Sequence, residues 1–78
     1  MLRRYWFPVP GHWGIGVTAY TRAEAIELAT KAADRLTWRI DPQTAIEDVD
    51  VRDLDQNHIV PNMGVVTWLG IWFPNGID

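Results

Sequence analysis

Alternating hydrophobic and polar positions predict two strands at the start of the chain. Residues 3–9 alternate with a period of two, which is typical of a β-strand. Pro10 and Gly11 then fit the two central positions of a type II turn. Residues 14–20 predict a second strand, in which Gly14 and Gly16 indicate a bulge or the close approach of another group. The first strand would carry Tyr5, Phe7 and Val9 on one side and Arg4 and Trp6 on the other.

The spacing of apolar residues then changes to that of a helix. Thr21 and Glu24 form the pattern of a capping box, in which the hydroxyl accepts the Glu24 N–H and the carboxylate reaches back to Thr21. The helix is predicted over residues 22–37, and Asp41 and Pro42 end the helical region. Its buried side is mostly alanine, which lets the helix lie close to a sheet: Ala25, Leu28, Ala29, Ala32 and Leu36.

Two further strands are predicted in the second half of the chain. Residues 45–51 alternate, with Ala45 and Val49 on one side, and residues 65–73 form the strongest strand pattern. The order strand, strand, helix, strand, strand is typical of an α+β protein. We therefore predict one domain over residues 1–78, with a single helix packed on a mostly antiparallel four-stranded sheet in ββαββ order. This order is β-grasp-like, and it also fits a plain open sheet.

Tryptophan is the compositional outlier, with five in 78 residues. One helix covers only one face of a sheet, whereas both sides of the last predicted strand are apolar. The side facing the helix would carry Leu69, Ile71 and Phe73, and the side facing away Trp68 and Trp72. Together with Trp6 and Trp13, these two tryptophans form a predicted surface for another protein or for a second copy of the chain. The alternative is that the loop over residues 52–64 folds over this face.

Charge is divided unevenly along the chain, whose net charge is -3. Residues 1–40 contain six basic and three acidic side chains, whereas residues 41–78 contain one basic and seven acidic side chains. An acidic cluster is formed by Glu47, Asp48, Asp50, Asp53 and Asp55. It either keeps a strand edge solvated or steers a basic partner, and its four aspartates belong to the predicted partner-binding set. The negative balance speaks against nucleic acid as a partner.

Few residues are available for enzyme chemistry. The sequence contains no Cys and no Ser, which excludes the commonest nucleophiles, disulfides and zinc–thiolate sites. The spacing of the aspartates does not match a calcium-binding loop, so no metal and no cofactor is predicted. An alternative ligand site consists of Asn57, His58 and Asn62, where Asp55 could orient the imidazole as a base. We therefore predict a protein that is not an enzyme.

Four stretches resemble a group of short bacterial proteins of unknown function. They are residues 16–20 (GVTAY), 47–50 (EDVD), 57–64 (NHIVPNMG) and 70–74 (GIWFP). The resemblance implies that the loop over residues 57–64 and the Trp-rich strand act together. The order of the elements also resembles, more weakly, that of ubiquitin-like domains.

The expected location is the cytoplasm, without membrane contact. No apolar run approaches the roughly 18–20 residues that span a bilayer. Pro8, Pro10 and Gly11 interrupt the apolar stretch that a signal peptide requires. The predicted function is a small protein–protein interaction module, such as an inhibitor, immunity, adaptor or ubiquitin-like protein. The alternatives are a homo-oligomeric structural protein using the same Trp-rich face, and a small-ligand binder or enzyme around His58.

Overall fold

One helix packs on one face of a four-stranded antiparallel sheet. The computed structural model describes residues 1–50, 52, 54, 56–57, 59, 61, 63–64 and 66–74. The sheet order is β3-β1-β2-β4, which confirms the predicted α+β class and ββαββ order. The finer resemblance to β-grasp domains is not confirmed. The elements are β1 (Arg3–Phe7), β2 (Ile15–Ala19), α1 (Arg22–Leu36), a 3-10 turn (Pro42–Thr44), β3 (Ile46–Glu47) and β4 (Gly70–Phe73).

The central pair of strands, β1 and β2, forms the predicted hairpin. Gly11 has a φ of 82°, and the His12 N–H donates to the Val9 carbonyl at 2.9 Å, as in a type II turn. The alternation in both strands is also confirmed, because one side of each packs against α1. We call the buried residues between the sheet and α1 the helix-side core: Tyr5, Phe7, Val9, Ile15, Val17, Ala19, Ala25, Ala29, Ala32 and Ala33.

Both ends of α1 are capped. The Thr21 hydroxyl accepts the Glu24 N–H at 3.1 Å, as predicted. The Glu24 carboxylate instead accepts the N–H of Tyr20 at 2.8 Å, one residue earlier than predicted. At the other end Thr37 has a left-handed φ of 57°, and the Trp38 N–H donates to the Ala33 carbonyl at 2.8 Å. This Schellman arrangement turns the chain sharply after the helix.

The third strand is much shorter than the predicted strand over residues 45–51. Asp48 has a φ of 56°, which takes the chain out of the extended conformation. As a result Ala45 packs against the helix-side core, whereas Val49 lies on the opposite face of the sheet. The prediction that Ala45 and Val49 share one side is therefore wrong. Asp adopts both extended and left-handed backbone conformations, so the sequence pattern does not reveal the turn.

The last strand also begins later than predicted. Leu69, predicted to face the helix, is 52% exposed. The register of β4 against β2 shifts between Gly16 and Val17. Such an irregularity breaks the strict alternation of sides along a strand. Consequently Trp72 and Phe73 both pack on the face away from α1, which corrects the predicted position of Phe73.

Candidate protein-interaction surfaces

Three aromatic side chains meet on the sheet face opposite α1. The ring centroids of Trp6 and Trp72 lie 5.9 Å apart, and those of Trp6 and Phe73 lie 5.7 Å apart. Gly16 lies beneath them, because a Cβ built on it would stand only 2.5 Å from the Trp72 ring. The missing side chain makes room for the indole, which confirms the close approach predicted at this glycine.

The chain between β3 and β4, which we call the crossing chain, passes over this face and buries the aromatic rings. Trp72 is 0% exposed and Trp6 is 6% exposed, so the prediction of a partner surface at these two residues is corrected. For Trp6 and Trp72 the alternative holds, because the crossing chain covers them. Covering an apolar face that the helix leaves bare stabilises the folded state. We call this cluster the far-side core: Trp6, Val49, Leu54, Ile59, Trp72 and Phe73, with Met63 and Val66 half-buried against them.

Polar contacts fasten the crossing chain to the sheet. Each joins a residue of a strand to the backbone of a residue in the crossing chain, so the cover is held at several points. The last contact also occupies part of the outer edge of β4, which would otherwise offer unpaired backbone groups. The bonds run from Arg4 Nε to the Val49 carbonyl (2.8 Å), from the Thr18 hydroxyl to the Val66 carbonyl (2.5 Å) and from the Gly64 N–H to the Trp72 carbonyl (2.6 Å).

The side chain of Trp72 packs within the far-side core. Its Nε1 is buried and has no hydrogen-bond partner within the part of the chain that the structure describes. A buried donor without a partner costs about 1–3 kcal/mol. The contacts of the ring with Gly16 and Trp6 therefore have to outweigh this cost.

Trp68, unlike Trp6 and Trp72, is at the surface. Its side chain is 71% exposed, and the neighbouring Leu69 is also exposed. Gly70 pairs with Thr18 near the end of β2, so this pair lies at the same end of the sheet as the exposed Tyr20. The structure therefore keeps one of the predicted partner-binding tryptophans available at this end.

A groove of about 550 Å³ lies at the other end of the sheet, beside the turn between β1 and β2. Trp13 lines it and is 49% exposed. The groove forms where this turn meets the connection between α1 and β3, which contributes Asp41 and Thr44. We call it the hairpin-end groove, and its other lining residues are Pro8, Val9, Pro10, Gly11 and His12.

A ring contact fixes one wall of the hairpin-end groove. His12 stacks on Trp38 with ring centroids 4.2 Å apart and an angle of 20° between the planes. Trp38 is placed by the left-handed Thr37 at the end of α1, whereas His12 is placed by the type II turn. The sequence pattern does not predict this contact, because the two residues are separated by β2 and α1. The turn at Pro10 and Gly11 was the one local feature that indicated a fixed position for His12.

The described members of the predicted acidic cluster pair with arginines of the same chain. Asp53 and Asp55 lie outside the described residues. Exposed ion pairs of this kind contribute little to stability, but they reduce the negative charge offered to a basic partner. The pairs are Arg22–Glu47 (3.0 Å), Arg3–Asp48 (3.6 Å) and Arg52–Asp50 (2.7 Å).

The pKa of the Asp50 carboxyl is lowered by its contacts with Arg52. The Arg52 guanidinium donates to it, and the Arg52 backbone N–H donates to the same carboxylate at 2.9 Å. These bonds favour the charged form and lower the pKa of Asp50 from 3.8 to about 2. Asp50 therefore stays ionised well into the acid range.

The alternative ligand site falls largely outside the described residues. His58, Asn62 and Asp55 are not described, and Asn57 is exposed. Among the described residues, no three His, Asp or Glu side chains come close enough to hold a metal ion. The ligand site therefore stays a prediction from the sequence.

Within the described part of the chain, no helix is long and apolar enough to cross a membrane. Comparison with models of known families, with curated proteins and with solved structures gives no match. The surfaces described above are therefore the features of this chain that point to a function.

Proposed function

We propose that this chain is a small non-catalytic protein-interaction module and that its contact surface is the hairpin-end groove. Inhibitors, immunity proteins, adaptors and ubiquitin-like proteins act in this way. The observation that carries the proposal is the half-exposed Trp13 in the wall of an apolar groove. Tryptophan is enriched among the residues that dominate binding energy at protein interfaces, and concave apolar sites bury much of what they bind.

The construction of the groove supports the same function. The type II turn sets the backbone on one side, and the stack of His12 on Trp38 sets a side-chain wall. A surface that is ordered before binding loses little conformational entropy when a partner docks. This favours recognition of a polypeptide by a largely rigid module.

Two features favour a non-catalytic role. The sequence contains neither Ser nor Cys, so the most frequent covalent nucleophiles are absent. The imidazole of His12, which lies in the groove, is stacked against an indole and packs as part of the wall.

Self-association is the second candidate function. It is favoured by the exposed Trp68, Leu69 and Tyr20 at the end of the sheet opposite the groove. A second copy of the chain would bury these apolar side chains against its own. This candidate uses a different surface, so variants at Trp13 and Trp68 separate the two.

The test is a selection of random linear peptides on the immobilised full chain, followed by affinity measurements in solution. We expect the selected peptides to bind Trp13→Ala at least about tenfold more weakly than the wild type, since this removes the proposed anchor. Trp68→Ala is the matched control and should bind them as the wild type does. Peptides that depend on Trp68 instead, or the recovery of no binding peptide, would overturn the proposal.

Light scattering over a range of protein concentrations tests the second candidate. A dimer that forms at high concentration and is lost in Trp68→Ala, but not in Trp13→Ala, would support self-association. A monomer at all concentrations would rule it out.

A further inference from the structure

The hairpin-end groove contains one formal charge. Of its lining residues only Asp41 is acidic, and none is Lys or Arg. The other walls are proline, valine, glycine, threonine, histidine and the indole of Trp13. A groove whose lining combines a carboxylate and an indole with largely apolar walls is complementary to a flat organic cation.

We propose that the hairpin-end groove accepts an arginine side chain of the partner polypeptide, stacked on Trp13 and paired with Asp41. This inference rests on the proposed function, and it specifies the chemistry that the module recognises. Guanidinium is planar and weakly hydrated, stacks on indole rings and donates two parallel hydrogen bonds to a carboxylate. An ammonium group has neither the flat shape nor the paired donors.

The Asp41 carboxylate is held in place from within the chain. Its Oδ1 accepts the backbone N–H of Gln43 at 3.0 Å. The backbone carbonyl of Asp41 accepts both the N–H and the hydroxyl of Thr44. A carboxylate offers about four lone-pair sites on two oxygens, so this bond leaves capacity for a donor from the partner. The aspartate is thus oriented by the 3-10 turn before any partner arrives.

The Asp41 carboxylate disfavours both acidic and purely apolar side chains as occupants of the groove. An acidic side chain would meet the Asp41 carboxylate without a compensating cation among the lining residues. A purely apolar side chain would desolvate the carboxylate without pairing it, which is unfavourable. An arginine satisfies the carboxylate and covers the apolar walls with its methylene stem.

The probes for the test are Nα-acetyl-arginine amide and Nα-acetyl-citrulline amide. Citrulline has nearly the same shape as arginine but carries no charge. Binding to the full chain is followed by NMR through the indole N–H of Trp13 and the amide N–H of Thr44. We expect the arginine derivative to shift both signals and the citrulline derivative to bind about five- to tenfold more weakly.

The matched variants are Asp41→Asn and Glu27→Gln. Asparagine preserves the capping bond to Gln43 because it is an equally good N-cap residue, so the 3-10 turn should remain. Asp41→Asn should weaken the arginine derivative by about five- to tenfold, and added salt should weaken its binding to the wild type. Glu27 lies on α1 and pairs with Lys31, so its substitution should change nothing.

The outcomes separate this inference from the function on which it rests. Equal binding of the two derivatives, unchanged binding by Asp41→Asn, or no shift at the highest soluble concentration would overturn the arginine site. If selected peptides depend on Trp13 but bind Asp41→Asn as tightly as the wild type, the groove is a contact surface that does not recognise a cation. If no peptide depends on Trp13, the proposed function fails as well.

Discussion

The indole of Trp72 lies directly over Gly16. A Cβ on Gly16 would stand 2.5 Å from the Cζ3 atom of Trp72, which is closer than real Cβ contacts come. The same glycine adjoins the register shift between β2 and β4. One residue without a side chain therefore permits the packing of the far-side core beside this irregularity of the sheet.

The first prediction concerns Gly16→Ala. The added methyl group collides with the Trp72 ring, which is fully buried beneath the crossing chain. We expect the free energy of unfolding to fall by about 1–3 kcal/mol, measured by urea denaturation. A change below about 0.5 kcal/mol, the usual range of a harmless surface substitution, would contradict this packing.

A double-mutant cycle supplies the control for Gly16→Ala. In a Trp72→Ala background the ring is gone, so the same methyl group should cost much less. A coupling of at least about 0.5 kcal/mol between the two positions is the expected sign of direct contact. Simple additivity would show that the alanine acts through the backbone and not through Trp72.

The second prediction compares two tryptophans in the same part of the chain. Trp72 is fully buried, so Trp72→Ala should lower the free energy of unfolding by about 3–5 kcal/mol. Trp68 is 71% exposed, and Trp68→Ala should change it by no more than about 0.5 kcal/mol. Thermal or urea denaturation of both variants checks the pair. Similar costs at the two sites would contradict the assignment of Trp72 to the far-side core.

The third prediction concerns acid. A pKa lowered in the folded state stabilises the fold above the ordinary value of 3.8, and this contribution is lost as the pH falls through about 2. The carboxyl carbon of Asp50 should therefore titrate near 2 in an NMR experiment. In Arg52→Gln the midpoint should rise but stay below 3.8, because the backbone N–H at position 52 still donates.

The comparison variant for the acid titration is Arg22→Gln. Arg22 pairs with Glu47 and makes no bond to Asp50, so the Asp50 midpoint should not move. The stability difference between the wild type and Arg52→Gln should shrink as the pH falls from 3.8 to 2. An Asp50 midpoint near 3.8 in the wild type would show that the bonds to Arg52 do not persist in solution.

The fourth prediction is a stabilising substitution. Thr37 has a φ of 57°, and the left-handed region is unfavourable for a β-branched residue by roughly 1–2 kcal/mol. Thr37→Gly relieves this strain but raises the entropy of the unfolded chain, so we expect a net gain of about 0.5–1 kcal/mol. The measurement is the urea denaturation midpoint.

The same change in the middle of α1 is the control for Thr37→Gly. Thr30 is exposed within the helix, where glycine is unfavourable, so Thr30→Gly should lower the free energy of unfolding by a few tenths to about 1 kcal/mol. Opposite signs at the two threonines are the expected result. A loss of stability at both would mean that the Schellman arrangement does not form.

The sequence by itself determined the elements that depend on near neighbours. The type II turn follows from Pro10 and Gly11, because proline sets its own φ and glycine accepts a positive one. The start of α1 follows from Thr21, whose hydroxyl caps a backbone group three residues away. In such cases the interacting groups are fixed within a few residues of each other, so the pattern alone is sufficient.

Strand registers in the second half of the chain needed the tertiary structure. The left-handed turn at Asp48 ends β3 after two residues, and the register shift between β2 and β4, where Trp72 is the extra residue of β4, places Trp72 and Phe73 on one face. Both depend on how one strand meets another, which the period of hydrophobic residues does not encode. The stack of His12 on Trp38, and with it one wall of the groove, is decided in the same way.

The burial of the tryptophans separates most clearly what the sequence determined from what the tertiary structure decided. The sequence determined that a second apolar face exists, because one helix covers only one side of a sheet. The tertiary structure decided that the crossing chain buries Trp6 and Trp72 and leaves Trp68 exposed. The hydrophobic effect has no direction: it requires that apolar surface be covered, but it does not specify by which part of the chain. That choice is made by contacts between residues far apart in sequence, such as Thr18 with Val66.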